Sequence, residues 1–321
     1  MPRRLRKVLH ALRVRIGWHT IGTLLGIAVF AVAVFTLARM LHKADSAKIV
    51  AAILATPIHT IILAGACVTV AYVTLTFYDW FALRTIGRRE VPYRVAAASA
   101  FTSYAIGHNI GATVFTANFI RFRMYAAYKL TAGDIAKMAF VTGLTFWLGN
   151  MFVLGIGISY RPDAASAIDQ LPAWLNRSIA IAMLATIAGY IVWVGQRPRI
   201  IGRNGWSVTL PGARLTLVQI LIGMLDLGAS GLAMYVLLPH QPGIGFTDVL
   251  VSFVASVLLG FASHAPGGIG VFDAAMLLAL PQIDTEQLIA ALLLFRLMYY
   301  IAPFTLALAI LGIRELRLYL K

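Results

Sequence analysis

The stretch SHAPGGIG, residues 263–270, interrupts an apolar region that extends from about 249 to 281. A second apolar region, about 94–130, is interrupted by GHNIG at residues 107–111. Proline and glycine disfavour a continuous helix. Each half of these regions has about 12–18 residues and would rise roughly 18–27 Å as a helix, which is short for a hydrocarbon core of ~30 Å. Both regions are therefore predicted to be helical hairpins that enter a membrane and return to the same side.

The composition of the whole chain places these hairpins in a membrane. Of the 321 residues, 60% are hydrophobic and only 12% are charged, whereas soluble chains carry about 25% charged residues. A chain this apolar cannot cover its surface in water, which excludes a soluble enzyme. The single cysteine, Cys67, excludes an internal disulfide framework. Uninterrupted apolar runs long enough to span a bilayer lie at about 20–40, 58–84, 138–158, 178–195, 215–238 and 287–312.

Basic residues are distributed unevenly between the two predicted sides of the membrane. The basic segment before residue 18 and the run at 20–40 predict an uncleaved first helix with its N-terminus inside. If each run then crosses once, 21 of the 27 Lys and Arg residues lie inside, five lie outside and Arg296 lies within a span. Positively charged loops stay on the cytoplasmic side. We therefore expect a multi-pass membrane protein with both termini cytoplasmic and no nucleic-acid partner.

The order of predicted elements repeats along the chain. Residues 20–158 give two spans, a hairpin and a span, and residues 178–312 give the same order. The first unit begins inside and the second outside, so the two are predicted to be inverted relative to each other. Inverted repeats with interrupted helices near the midplane are typical of alternating-access transporters.

The expected fold is an all-α polytopic membrane protein built as an inverted-topology repeat with two broken, re-entrant helical hairpins. No soluble catalytic domain and no enzymatic activity are expected. The predicted organisation is a single membrane domain over 1–321, with repeat 1 at 20–158 (hairpin at about 94–130) and repeat 2 at 178–312 (hairpin at about 249–281).

Three charged residues are predicted to lie deep in the membrane. At 1.5 Å per residue, Arg296 lies about 14 Å into its span, and Asp226 and Asp273 lie about 18 Å and about 12 Å from the outer ends of their segments. A charged group at that depth costs roughly 2.5–3.5 kcal/mol on insertion scales. Charges of mixed sign at similar depth predict a shared polar cavity, in which two acids and one base leave negative charge for a cationic ligand. The alternative is a buried Arg–Asp pair that only fixes helix packing.

The interruptions of the hairpins are candidate anion sites. A helix that begins after a break presents unpaired N–H groups and the positive end of its dipole, and Gly267 and Gly268 have no side chains to keep a phosphate away. The alternative is a break that only permits close packing. His264 and His108 occupy matching positions, and each is either a ligand or a histidine satisfied by backbone groups.

Two further charged residues belong to the predicted inner side. Arg121 has two alternative roles. Its side chain either binds a phosphate that enters from the inner leaflet, or extends to the headgroup layer and only marks the cytoplasmic side. Asp79 is either a headgroup ligand or one partner of an interfacial pair with Arg84. The sequence has no zinc-protease motif and no nucleophile elbow, so no metal and no cofactor are expected.

The second interruption and the segment after it carry a family resemblance. SHAPGGIGVFD (263–273) and LFRLMYY (294–300) resemble the membrane domain of bacterial lysyl-phosphatidylglycerol synthase/flippases, the multiple peptide resistance factor family, and their stand-alone relatives. YD (78–79), GHNIG (107–111) and RFR (121–123) are similar to earlier parts of that domain. The similarity extends over about 20–312. It implies a protein of the bacterial inner membrane that moves aminoacylated phosphatidylglycerol from the inner to the outer leaflet, with a role in resistance to antimicrobial peptides.

The resemblance also implies partners. In that family a separate soluble domain attaches the lysine, and this chain ends at Lys321, just after its last span. The expected partners are bilayer phospholipids and a lysyl-phosphatidylglycerol synthase domain or protein, and a homo-oligomer is left open.

The resulting hypothesis is a phospholipid flippase for lysyl-type phosphatidylglycerol or a related lipid. The phosphate would meet Arg121 or Arg296 and the N–H groups of the breaks, and a cationic headgroup would meet the two deep acids. The alternatives are a secondary transporter of a small solute, which should be closed to the bilayer, and a membrane anchor for a separate synthase. The predicted headgroup-binding residues are Asp79, Arg121, Asp226, His264, Gly267, Gly268, Asp273 and Arg296.

Overall fold

The structure of the protein is a computed structural model that describes residues 44–111, 113–203 and 206–319. The predicted first span, 20–40, lies outside these residues. A short antiparallel pair of strands, β1 (Ile200–Arg203) and β2 (Trp206–Thr209), joins α7 to α8. The helices are α1 Ser46–Ala55, α2 Ile58–Thr85, α3 Tyr93–Ile110, α4 Thr113–Met124, α5 Ala132–Tyr160, α6 Pro162–Asp169, α7 Ala173–Gln196, α8 Ala213–Leu237, α9 Phe246–Ala262, α10 Val271–Ala279, α11 Thr285–Arg296 and α12 Ala302–Tyr319.

Within the described part of the chain, five helical segments are long and apolar enough to cross a membrane. They are α2, α5, α7, α8 and the continuous segment Thr285–Arg314, in which a π-helical turn at Leu297–Ile301 joins α11 to α12. These segments coincide with the predicted runs, so the prediction of an all-α membrane protein is confirmed. The strand pair and helix α6 lie between the predicted runs.

Each interrupted region is a pair of packed helices. Helices α3 and α4 pack against each other, as do α9 and α10. The first break lies later than predicted: α3 continues through residues 107–110 and ends at Gly111, whose φ is +82°. Helix α10 has nine residues and rises about 14 Å, which is too short to cross the membrane. The return of each hairpin to its side of entry and the inversion of the repeats remain predictions.

The tips of the two hairpins meet. A Cβ atom added to Gly111 would lie 3.2 Å from the Cα atom of Pro266, and one added to Gly267 would lie 3.6 Å from the carbonyl oxygen of His108. Helices α2 and α8 pack along each other. Helix α5 crosses α8 where Gly149 faces Gly223, and a Cβ on Gly149 would lie only 2.6 Å from the Cα of Gly223.

Polar side chains define where helix α5 begins. The Thr131 hydroxyl accepts from the Asp134 N–H, and the Asp134 carboxylate accepts from the Thr131 N–H, which is a capping box. Arg88, in the loop after α2, donates to the same carboxylate at 2.6 Å. That hydrogen bond raises the pKa of Arg88. The loop before hairpin α3/α4 is thus held to the helix that follows the hairpin.

Candidate functional site

A cavity of about 310 Å³ lies where the hairpin tips meet α2, α5 and α8. This volume falls within the range of about 300–1,000 Å³ that is typical of ligand pockets. Most of the lining is apolar, contributed by α4, α5, α8 and α9. The polar and titratable side chains in the lining are Tyr78, Tyr104, His108, Asn118, Arg121, Thr142, Asp226, Ser230, His264, Tyr299 and Tyr300.

Arg121 and Asp79 form a buried ion pair beside this cavity. Arg121 is 3% exposed and Asp79 is fully buried. Arg121 Nε donates to Asp79 Oδ1 at 2.9 Å, and Nη2 donates to the same oxygen at 2.7 Å. The Tyr125 hydroxyl donates to Asp79 Oδ2 at 2.9 Å. The Arg121 Nη1 group donates to Asn118 Oδ1 at 3.1 Å, on the side that lines the cavity. A buried charge needs this degree of pairing to be tolerated.

The pair corrects two predictions from the sequence. The interfacial partnership of Asp79 with Arg84 is wrong, since Arg84 donates to the Arg89 carbonyl and lies over the Trp80 ring. The interpretation of Arg121 as a side chain that extends to the headgroup layer is also wrong, because it is buried. Asp79 and Arg121 lie on different helices, and only the fold of hairpin α3/α4 brings them together.

Asp273 and Arg296 form a second ion pair, behind the tip of hairpin α9/α10. Arg296 Nε donates to Asp273 Oδ1 at 2.9 Å, and Nη2 donates to Oδ2 at 2.6 Å. The third nitrogen, Nη1, donates to the Gly267 carbonyl at 3.1 Å. Asp273 Oδ2 also accepts from the Gly270 N–H. This bidentate geometry corrects the prediction that Asp273 meets a ligand cation, because its carboxylate oxygens already have donors.

Several backbone N–H groups of the second break donate hydrogen bonds to other groups of the same break. Those of Gly268 and Ile269 donate to the carbonyls of Ala265 and Pro266, and that of Ala265 donates to the Ser263 hydroxyl. Gly267 and Gly268 adopt φ values of +58° and +60°, so the turn requires their left-handed conformation. The prediction that these N–H groups bind a phosphate is therefore wrong. The glycines instead allow the backbone to form the turn.

Asp226 differs from the two paired acids. It lies on α8, lines the cavity and is 6% exposed. The Tyr78 hydroxyl donates to Asp226 Oδ2 at 3.2 Å, while Oδ1 has no hydrogen-bond partner. Among the described residues no Lys, Arg or His side chain forms an ion pair with it. The predicted cluster of Asp226, Asp273 and Arg296 is thus divided into one ion pair and one separate carboxylate.

The two histidines of the hairpin tips are placed differently. His108 lies in α3 and stacks on the Tyr299 ring at 6.2 Å, and its Nδ1 atom has no partner. His264 lies in the turn after α9 with a φ of +56°, and its ring is exposed. Its Nδ1 atom lies 2.9 Å from the Ala262 carbonyl oxygen. Both rings reach the cavity lining, although their local structures do not match as the repeat predicted.

Sequence reasoning missed the tyrosines of the site. The hydroxyl of Tyr78 contacts Asp226, that of Tyr125 contacts Asp79, and the Tyr104 ring lies 4.9 Å from the Arg121 guanidinium carbon. The available signal was the presence of tyrosines within apolar runs, since a buried hydroxyl needs a polar partner. No cluster of three metal-ligating His, Cys, Asp or Glu side chains occurs in the described ranges.

Among the described residues, the exposed part of the cavity lining, which we call the mouth, is apolar apart from His264. Val114 and Phe115 on α4, Trp147 on α5 and Phe261 on α9 all line the cavity and are all exposed, Phe115 by 80%. Trp147 and Phe261 contact each other edge to face at 6.4 Å between ring centroids. Large apolar side chains around an opening face acyl chains more favourably than water. The opening between α4, α5 and α9 therefore has the character of a lateral, lipid-facing mouth.

Comparison with known proteins assigns this chain to a family. No established family profile matches it. The uncharacterized protein slr0712 of Synechocystis sp. is 32% identical over 257 residues, which cover 79% of this chain and 79% of that protein. The chain belongs to the same family as slr0712. The inner membrane protein YbhN of Escherichia coli is 29% identical over 248 residues, which cover 75% of this chain and 76% of that protein.

A shorter similarity links the chain to lipid-modifying enzymes. The phosphatidylglycerol lysyltransferase of Staphylococcus haemolyticus is 42% identical over 67 residues, which cover 20% of this chain and 8% of that protein. The resemblance to the lysyl-phosphatidylglycerol family is thus supported over part of the chain. Together with the apolar helices, the similarity to an inner membrane protein identifies a membrane-embedded protein.

Proposed function

We propose that the protein is a flippase that moves a phospholipid with a cationic headgroup, of the lysyl-phosphatidylglycerol type, from the inner to the outer leaflet of the bacterial inner membrane. The observation that carries this proposal is the cavity between the hairpin tips, which combines a separate buried carboxylate with an apolar, open mouth. A phospholipid needs both features, because its headgroup is charged and its acyl chains are not.

The apolar mouth favours a lipid over a small solute. A carrier for a hydrophilic solute should be closed to the bilayer and open to water. The exposed rings of Phe115 and Trp147 surround the cavity opening instead. Acyl chains would remain in the bilayer against these rings while the headgroup enters between the hairpins. Burial of apolar surface contributes roughly 25 cal/mol per Å², so this arrangement avoids the transfer of acyl chains into water.

The charged groups of the cavity suit a zwitterionic or cationic headgroup. Asp226 lines the cavity, its buried Oδ1 atom has no partner, and in the proposal its carboxylate meets the ammonium group of the headgroup. The Nη1 side of Arg121, beside Asn118, is a cationic group in the lining and would face the phosphate. Arg296 and Asp273 would not contact the headgroup themselves. They would hold the turn at the hairpin tip in place, because Arg296 donates to the Gly267 carbonyl there. His264 lies in the lining, where it can hydrogen-bond the headgroup.

Similarity to lysyltransferases supports the choice of lipid. The region shared with the Staphylococcus haemolyticus enzyme is short, but the name of that enzyme specifies lysine transfer to phosphatidylglycerol. In the proposal, the partners are bilayer phospholipids, and a lysyl-phosphatidylglycerol synthase supplies the lipid that this chain moves. Rocking of one hairpin against the other at the tip contact would expose the cavity to the opposite leaflet, as in other transporters built from repeats.

The test is lipid movement in proteoliposomes that contain the purified protein. Headgroup-labelled lysyl-phosphatidylglycerol and labelled phosphatidylglycerol are compared by their accessibility to an external quencher. Arg296→Ala should slow the movement of the lysyl lipid severalfold, because the tip turn loses its donor. Arg161→Ala is the matched control: this Arg forms an ion pair with Asp248 at 3.0 Å, away from the cavity.

The outcomes separate the possible functions. Faster movement of the lysyl lipid than in protein-free vesicles, dependent on Arg296 and not on Arg161, supports the proposal. Equal movement of both lipids would retain a flippase but reject recognition of the headgroup cation. Absence of movement of either lipid by correctly folded protein would contradict the flippase and favour the solute carrier or the anchor.

A further inference from the structure

Asp226 is the described intramembrane carboxylate that lacks a basic partner. Asp79 is paired with Arg121, and Asp273 is paired with Arg296. The formal charges of these four residues cancel within the two pairs. Asp226 receives one hydrogen bond, from Tyr78, and its Oδ1 atom is buried without a partner. The cavity is therefore lined by a carboxylate whose charge no described protein group neutralises.

None of the described groups around Asp226 forms an ion pair with it. Tyr72 and Tyr78 on α2, Tyr104 on α3 and Tyr299 at the π-helical turn are close enough to interact with it electrostatically. His108, His264 and Arg121 line the same cavity, and Arg121 is held by Asp79. In the described ranges, α5 and α9 contribute only uncharged side chains to the lining, and α7 and α11 contribute none.

An isolated ionised carboxylate is unfavourable inside a membrane protein. Two species can neutralise it at this site: a proton, or the ammonium group of a bound headgroup. The same oxygen cannot hold both, because a protonated carboxyl group no longer attracts a cation. Occupation of Asp226 by one species therefore excludes the other.

We propose that Asp226 exchanges a proton for the cationic headgroup, so that each lipid crosses the membrane against a proton that crosses in the opposite direction. This inference rests on the proposed function and adds its driving force. The ammonium group enters the cavity, the carboxyl proton leaves to water on that side, and the ion pair forms. After the cavity opens to the other side, a proton from that side binds Asp226 and the lipid departs. The protonated, empty cavity then returns.

The test measures the steady-state distribution of labelled lipid between the two leaflets under an imposed pH gradient. Potassium and valinomycin hold the membrane potential at zero. Exchange of one proton for one lipid should concentrate lysyl-phosphatidylglycerol in the leaflet that faces the acidic side, by about tenfold for each pH unit. Reversal of the gradient should reverse the distribution. Phosphatidylglycerol, which has no cationic group, should stay equally distributed.

Variants identify the residue. Asp226→Asn keeps the shape of the side chain but cannot exchange a proton, so the tenfold asymmetry should disappear, and Asp226→Glu should retain it at least in part. Asp248→Asn is the control for the same chemical change, because Asp248 pairs with Arg161 outside the cavity. It should keep the full asymmetry.

Three results would overturn the inference while the proposed function stands: lipid movement with equal leaflet populations at every gradient, asymmetry that persists in Asp226→Asn, or asymmetry of phosphatidylglycerol. Infrared spectra of the purified protein recorded over a range of pH report protonation of Asp226 without any measurement of transport. A protonated carboxyl group has a carbonyl stretch that the carboxylate lacks. A titrating carboxyl signal that is absent from Asp226→Asn supports proton binding at Asp226. If the wild-type protein moves no lipid, the proposed function fails, and absence of this signal would then reject proton binding separately.

Discussion

Gly111 and Pro266, one at the tip of each hairpin, are in direct backbone contact. A Cβ atom on Gly111 would lie 3.2 Å from both the nitrogen and the Cα atom of Pro266, and 3.3 Å from the His264 carbonyl oxygen. No side chain separates the two tips at this point. Movement of one hairpin relative to the other would change this contact, which makes Gly111 a sensitive place to test the proposed alternating access.

Gly111→Ala should reduce lipid movement severalfold. At φ +82° and ψ −177° the backbone of Gly111 lies in a region that is open essentially only to glycine, so alanine costs about 1–3 kcal/mol, and its Cβ would press against the opposite tip. Gly87→Ala is the matched control, since Gly87 has a φ of +83° and no atom lies within 4 Å of the position that its new methyl group would take. Both variants should lose thermal stability through backbone strain, Gly111→Ala more than Gly87→Ala because of its contact with the opposite tip, and only Gly111→Ala should lose transport. Equal transport by both would show that the tips need not fit closely.

The buried Arg121–Asp79 pair should behave as a unit. Arg121→Gln or Asp79→Asn alone should destabilise the protein by about 3–5 kcal/mol, because each leaves a buried charge without its partner. The double variant should be more stable than either single variant, since its two amides carry no charge. Unfolding in detergent micelles measures these differences. Arg88→Gln provides the comparison, because Arg88 pairs with Asp134 near the surface and should cost about 1 kcal/mol or less. Additive single losses would argue against coupling.

Arg296→Lys should impair transport although it keeps the positive charge. Arginine at this position donates through three nitrogens, two to Asp273 and one to the Gly267 carbonyl. A lysine ammonium is a single point charge and cannot reproduce this fork. We expect a severalfold lower rate of lysyl-lipid movement in proteoliposomes. Arg161→Lys, at the Asp248 pair outside the cavity, should retain the wild-type rate, and a full rate for Arg296→Lys would show that charge alone suffices.

Gly149→Ala should separate helices α5 and α8. The new Cβ would lie 2.6 Å from the Cα of Gly223, so the backbones must move apart, at a cost of about 1–3 kcal/mol. Gly228→Ala is the control on α8, because nothing lies within 4 Å of its Cβ position, and better helix propensity should make it neutral or stabilising by up to about 1 kcal/mol. The melting temperatures of the two variants check this difference, and equal values would contradict the close crossing.

The spans and the two interrupted regions could be located closely from the sequence. The run predicted at 58–84 is the helix Ile58–Thr85, and the run predicted at 215–238 is Ala213–Leu237. Glycine and proline likewise mark where α9 ends and α10 begins. The boundary at the first break was less accurate, because GHNI continues α3 and only Gly111 leaves the helix.

Charge partners were not predictable in the same way. Asp79 was expected to pair with Arg84, five positions along the same helix, but side chains face each other at spacings of three or four. Its partner is Arg121, 42 positions away. Nor did the sequence show that Asp273 pairs with Arg296 while Asp226 stays separate, since all three lie at similar depths.

The sequence by itself determined that the chain is a helical membrane protein with two interrupted segments. These properties depend on local quantities, namely the apolar character of a run, its length relative to the bilayer, and the residues that interrupt it. Only the tertiary structure decided which charges cancel, which carboxylate lacks a basic partner, and which residues line the cavity. Those properties depend on contacts between helices far apart in the chain, because a charge in a low-dielectric interior is neutralised by whichever group the fold brings within a few ångströms.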